Sequence, residues 1–129
     1  VSMFCRININ KKNELPIRSS EMGLLMFITH SSNPPSSADA VDFFKVSKPM
    51  VANMVRSLEK KGYLERESHS TDKRKFTLIL TAKAKQLVAE TTKEYLKKMA
   101  VLRDELGKDD FNTLLILLDK ATNALLKHY

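Results

Sequence analysis

The chain has 129 residues, 43% of them hydrophobic, and its 22 lysines and arginines against 15 acidic residues leave a net charge of +7. That length suits a single domain with a buried core. The longest apolar run, residues 23–28, is far short of the roughly 20 residues that cross a bilayer, so no membrane span is expected. The single cysteine, Cys5, cannot form an internal disulfide, and the opening VSMFCRININKK lacks the pattern of a secretory signal; both favour a reducing cytoplasm.

In chain order, Phe4, Ile7 and Leu15 permit a short first helix, which Asn8, Asn10 and Asn13 weaken. The chain begins at Val1 rather than Met, which leaves room for residues upstream. Residues 17–30 predict a helix that is apolar on nearly every side, with Ser19 or Ser20 capping its first turn and Glu21 near its positive end. SSNPPSS, residues 31–37, reads as a loop. A short helix over 38–44 follows, with Ser37 as N-cap and Ala40, Val41 and Phe44 as its apolar stripe. Phe43 falls off that stripe, and the sequence gives it no role.

After a tight turn at Lys45 and Val46, Ser47 caps a longer helix. Pro49 suits its first turn, and Gly62 closes it in a left-handed conformation. Met50, Val51, Met54, Val55 and Leu58 form the buried stripe, while Lys48, Ala52, Asn53, Arg56 and Ser57 face outward. A short helix, a turn and a longer helix with a small, polar and basic N-terminal half make a helix-turn-helix, whose second helix reads the major groove of DNA. Asn53 is able to pair with adenine, Lys48 with guanine and the Ala52 methyl with thymine. The strand-prone runs 63–67 and 76–80, joined by the polar SHSTDKRK, form a wing. Asp72 at its tip is close enough to brace Arg74, which stands between Lys73 and Lys75. Residues 45–75 hold nine basic and four acidic residues, so most of the excess charge is in one quarter of the chain. This is the footprint of a polyanion-binding face.

VSKPMVANMVRSLEKKGYLER, followed by D-x-R in a polar loop, an apolar strand, Leu80-Thr81 and a long helix, resembles the MarR family of winged-helix transcription regulators from residue 17 onward. The resemblance implies major-groove positions at Ser47, Lys48, Pro49, Met50, Ala52 and Asn53. It implies a wing arginine, Arg74, that reaches the minor groove or its phosphates and is oriented by Asp72, with Arg56 and Lys73 as phosphate contacts. Narrow A·T-rich grooves attract such arginines. The chain departs from the family at Lys45, where glycine is common, and at Arg18, which replaces the usual threonine cap and passes that role to Ser19. Its N-terminal helix is short.

Thr81 caps a helix over 82–105, broken by Leu106-Gly107-Lys108, and Asp109 or Asp110 caps a last helix through Lys127. Both are rich in apolar residues with little core left to cover, and the resemblance implies that they intertwine with a partner chain in a C2 dimer. The expected fold is mainly α (α+β): one domain over 1–129, with a winged helix-turn-helix lobe at 17–80 and dimerisation helices at 1–16 and 81–129.

His30, His69 and His128 are scattered, and neither a phosphate-binding glycine loop nor a metal-spaced cluster occurs, so no enzyme and no cofactor are expected. The resemblance makes His30 a candidate lining residue for a small aromatic or anionic effector. The expected function is a homodimeric DNA-binding repressor of a pseudo-palindromic operator, relieved by such an effector. Two rival readings are a thiol sensor of peroxide that uses Cys5 and a winged-helix module that binds protein.

Overall fold

A computed structural model describes residues 3–4, 15–68 and 76–128 of the chain. Among the described residues the elements run α1 (Ser19–His30), α2 (Ser37–Phe44), α3 (Lys48–Lys60), β1 (Leu64–Ser68), β2 (Phe76–Leu80), α4 (Ala82–Leu106) and α5 (Lys108–His128). This is the expected mainly α winged helix-turn-helix. Met3 and Phe4 are helical; the rest of the expected first helix, Cys5 included, lies outside the described residues. No described helix is long and apolar enough to cross a membrane.

The chain separates into two compact units, Val1–Ala89 and Glu90–Tyr129. In the first, α1 supplies Met22, Leu24, Leu25 and Ile28 to a core completed by Ala40, Val51, Val55, Leu58, Tyr63, Leu64, Leu78, Ala84 and Val88. Burying each such large side chain contributes about 1.5–3 kcal/mol. The same core therefore fixes α3, the hairpin and the first turns of α4 around α1.

Local chemistry sets the element ends, with three departures from the predicted caps. Ser19 and Ser20 lie inside α1, whose N-cap position is Arg18. Its free amide donates to Glu21 Oε1 at 2.9 Å, so a side chain one turn later does the capping. Helix α2 is capped by Ser36 and not Ser37: the Ser36 hydroxyl accepts from the Asp39 amide, and the Asp39 carboxylate accepts from the Ser36 amide. Serine paired with a carboxylate three residues on outcompetes a serine without one. Asp109 and Asp110 sit within the first turn of α5 rather than capping it, and Gly107 just before it adopts φ 82°.

Ser47 caps α3 as predicted, its hydroxyl accepting from the Met50 amide at 3.2 Å. At the other end the Gly62 amide donates to Glu59 O and the Tyr63 amide to Leu58 O, at 3.0 and 2.9 Å. With Gly62 at φ 84°, this is a Schellman closure. Thr81 caps α4 through its hydroxyl, which accepts from Ala84 N and donates to Gly62 O.

The wing hairpin is antiparallel, in register Leu64↔Leu80, Arg66↔Leu78 and Ser68↔Phe76. The predicted loop before α2 joins it: Leu78 N donates to Pro35 O at 2.8 Å, and Ser36 bridges Thr77. The prolines leave their carbonyls free to accept, so a segment unfit for a central strand still borders the hairpin.

In the second unit, none of residues 90–128 is buried. Helix α5 exposes Leu115, Ile116, Leu117, Leu118, Leu125 and Leu126.

Candidate nucleic-acid interface

The turn between α2 and α3 is closed by Lys45, at φ 56° and ψ 43° in the left-handed region, its amide donating to Val41 O at 3.0 Å. A Cβ there costs about 1–2 kcal/mol, so the departure from glycine carries a conformational cost. The turn allows Ser47 to start α3 at once. Val51, Val55 and Leu58 then point into the core, and Lys48, Pro49, Met50, Asn53 and Arg56 remain exposed, with Ala52 half-buried. Met50, assigned to the buried stripe, is 52% exposed at its edge. It therefore belongs to the outward surface, where the resemblance also put it.

Three groups on this surface are already engaged. Ser47 Oγ accepts the cap hydrogen bond, which leaves its hydroxyl proton free to donate. Arg56 donates from Nη2 to Asn53 Oδ1 across one turn of helix. Arg56 thus occupies one of the two acceptor positions of the Asn53 oxygen and competes with a base edge for it.

The surface continues onto the hairpin through residues the sequence did not single out. A hollow of about 260 Å³ is lined by Ser37, Ala38 and Val41 of α2, by Lys48, Ala52, Val55 and Arg56 of α3, and by Arg66 and Phe76 of the hairpin. Its lining is mostly apolar surface and includes three cationic side chains, Lys48, Arg56 and Arg66. Arg66 donates from Nε to Glu59 Oε1 at 2.6 Å, and its guanidinium carbon lies 4.5 Å from the Phe76 ring centre. The strand register was the available signal: Arg66 pairs with buried Leu78, which puts it on the inward face of the hairpin, where a basic residue needs a reason.

The other end of α3 is anchored by charge. Glu21, 1% exposed, receives Lys61 Nζ at 3.2 Å as well as the Arg18 amide. Burial alone would raise its carboxyl, but the Ser57 hydroxyl, the Arg18 amide and the Lys61 ammonium together hold it below the ordinary carboxylate range. Its Oε2 has no partner in hydrogen-bonding geometry. Lys83 closes the same corner, donating to Lys61 O at 2.8 Å with its ammonium 4.5 Å from the Tyr63 ring centre.

Of the predicted site residues, Ser47, Lys48, Pro49, Met50, Ala52, Asn53 and Arg56 share α3 and its N-cap. Asp72, Lys73, Arg74 and Lys75 lie outside the described residues, as does His69. His30 is exposed in the last turn of α1 and does not line the hollow. Phe43, unexplained by the sequence, stacks on Phe27 with ring centres 4.6 Å apart and meets Phe44 edge-on. Among the described residues no group of three or more His, Cys, Asp or Glu could hold a metal ion.

Residues 15–75 match the model of the MarR family. No curated protein sequence matches the chain. Solved structures share its fold at low identity. FabT from Streptococcus pneumoniae, in complex with DNA, aligns with a TM-score of 0.80 at 18% identity, covering 98% of this chain and 88% of that one. A MarR transcriptional regulator from Methanosarcina mazei Go1 gives 0.78 at 22%, over 99% and 92%. A complex of S. aureus MepR with DNA gives 0.76 at 20%, over 96% and 90%.

Proposed function

We propose that this chain, a MarR-family protein through residues 15–75, is a transcription regulator that binds double-stranded DNA as a homodimer. The observation that carries the reading is the outward face of α3: a capped helix whose exposed turns offer Lys48, Asn53 and Arg56 while the opposite stripe is locked in the core. Ser47, Lys48, Pro49, Met50, Ala52 and Asn53 address base edges or the adjoining backbone in the major groove. Arg56 swings to a phosphate and so releases Asn53 for pairing. Lys73, Arg74 and Lys75 grip the minor groove or its phosphates, and Asp72 orients Arg74. That neighbours of the same fold are complexes with DNA supports the assignment.

Residues 17–80 act as the reading lobe, and residues 1–16 and 81–129 as the dimerisation helices of the same domain. The apolar side chains that α5 exposes favour this division, since an apolar face of this extent marks an interaction surface. Two copies of α3 about a two-fold axis then address half-sites about 34 Å apart, which calls for a pseudo-palindromic operator. The chain acts as a repressor, relieved by a small aromatic or anionic effector, for which His30 is a candidate contact.

Titrating salt against binding to the upstream region of the protein's own gene tests the assignment. If the dimer neutralises about 6–10 phosphates, affinity falls by roughly 10³–10⁵ between 50 and 200 mM salt. Weak binding that ignores salt refutes the reading and favours a protein-binding module.

A further inference from the structure

We propose that Arg66, at the junction of α3 and the wing, is a preset clamp for one DNA backbone phosphate, with Glu59 and Phe76 as its positioning residues. The inference rests on the DNA-binding reading and adds to it a contact outside both the helix-turn-helix and the wing tip.

Three observations converge on this side chain. Its register opposite buried Leu78 turns it to the inward face of the hairpin, yet there it meets the hollow and keeps 36% of its side chain exposed. Its Nε is occupied by Glu59 and its plane lies against Phe76. The ion pair therefore uses Nε and leaves the two terminal nitrogens of the fork for an acceptor. An arginine held this way has lost most of its rotamer freedom before any ligand arrives, so less binding free energy goes into ordering it. Lys48 and Arg56 border the same hollow, and the wall between them is apolar. A phosphate there meets three cations against the single carboxylate of Glu59, beside a low-dielectric surface.

A backbone phosphate fits better than a base edge. The fork matches phosphate oxygens in bidentate geometry, and Asn53, the residue suited to a base edge, is not among the residues that line the hollow. Glu59 is 32% exposed in its side chain and meets the guanidinium at Nε. It holds the cation without occupying the remaining donors.

The test compares the wild-type chain with Arg66→Met and Arg66→Lys, by fluorescence anisotropy with the upstream duplex across 50–200 mM salt. Arg66→Met keeps a stem to lie on Phe76 but loses the charge. It is expected to lower affinity roughly tenfold per engaged arginine, and to reduce the salt slope by about 0.9 for each. The loss is the same on operator and unrelated duplex, as for a phosphate contact. Arg66→Lys restores the slope but only part of the affinity, because an ammonium lacks the fork. Unchanged slope and affinity in Arg66→Met, with the wild type binding normally, overturn the clamp alone; absence of duplex binding by the wild type overturns the reading beneath it. A loss on operator DNA only would make Arg66 a base reader and also refute the proposal. Inorganic phosphate provides the last arm. If, at constant ionic strength, it stabilises the wild type thermally but not Arg66→Met, while Arg66→Met binds duplex as the wild type does, the hollow serves a free anion and the backbone assignment fails.

Discussion

Lys61→Met isolates the ion pair that fixes the C-terminal end of α3 to α1. The substitution keeps the aliphatic stem and removes only the charge that faces Glu21. Breaking a fully buried pair costs about 3–5 kcal/mol, but the Lys61 side chain is 39% exposed while Glu21 is 2% exposed. Solvent screening on the lysine side reduces the expected loss to about 1–2 kcal/mol at pH 7. Its pH dependence is the sharper signature. The Glu21 carboxyl is depressed below its reference value of 4.5, so its contribution is complete above that value and disappears as pH falls through the folded-state pKa. Without Lys61 the buried carboxylate has less to offset its desolvation, and protonation relieves it. The stability difference between wild type and Lys61→Met, measured by urea unfolding, should therefore be largest near neutrality and shrink below about pH 4.5. In a Glu21→Gln background the lysine substitution should cost little, closing a double-mutant cycle. A difference that stays constant from pH 7 to pH 3.5 would refute the coupling.

Two backbone predictions use the same unfolding assay. Lys45 adopts φ 56°, so Lys45→Gly should be more stable than Lys45→Ala by about 1 kcal/mol; comparison with alanine cancels the lost charge at the end of α2, and equal midpoints would mean that the turn relaxes. Gly62→Ala should destabilise by about 1 kcal/mol through φ alone, because the nearest atoms to an added Cβ are the flexible Lys83 Cδ and Nζ at 3.9 Å. A loss above roughly 3 kcal/mol would instead indicate that the added methyl breaks the Lys83 contacts around Lys61 and Tyr63.

The parts of this fold that were legible in sequence are those whose causes lie within a few residues. Ser47, Pro49 and Gly62 mark the ends of α3 because an N-cap hydroxyl, a proline at an amide that needs no partner and a left-handed glycine act locally. Ser36 was legible by the same rule, since Asp39 three residues on identifies it, yet Ser37 beside it presents the same hydroxyl. What escaped is nonlocal. Pro35 reads as loop until Leu78 donates to it, and Phe43 reads as stray until Phe27 stacks on it. Arg66 counted only as one basic residue among nine in its segment. Its relation to Glu59 and Phe76 exists only after the hairpin fixes its register.

The two ends of α3 have different jobs, and the structure keeps them apart. The C-terminal end is held by the Schellman closure, by Thr81 on Gly62, by Lys83 on Lys61 and by the buried Glu21. Its exposed face carries Lys48, Asn53 and Arg56, and among the described residues the side-chain hydrogen bonds there are the Ser47 cap and the Asn53–Arg56 contact. Under the proposed DNA-binding function this asymmetry is useful. The anchored end sets where the helix lies relative to α1 and α4, so changes there alter stability or orientation and affect every duplex alike. In that proposal the free end sets which bases are contacted, with Asn53 exchanging Arg56 for a base edge. That exchange loses little at an exposed site, where water replaces the broken hydrogen bond, so the proposed base contact of Asn53 would come at small energetic cost.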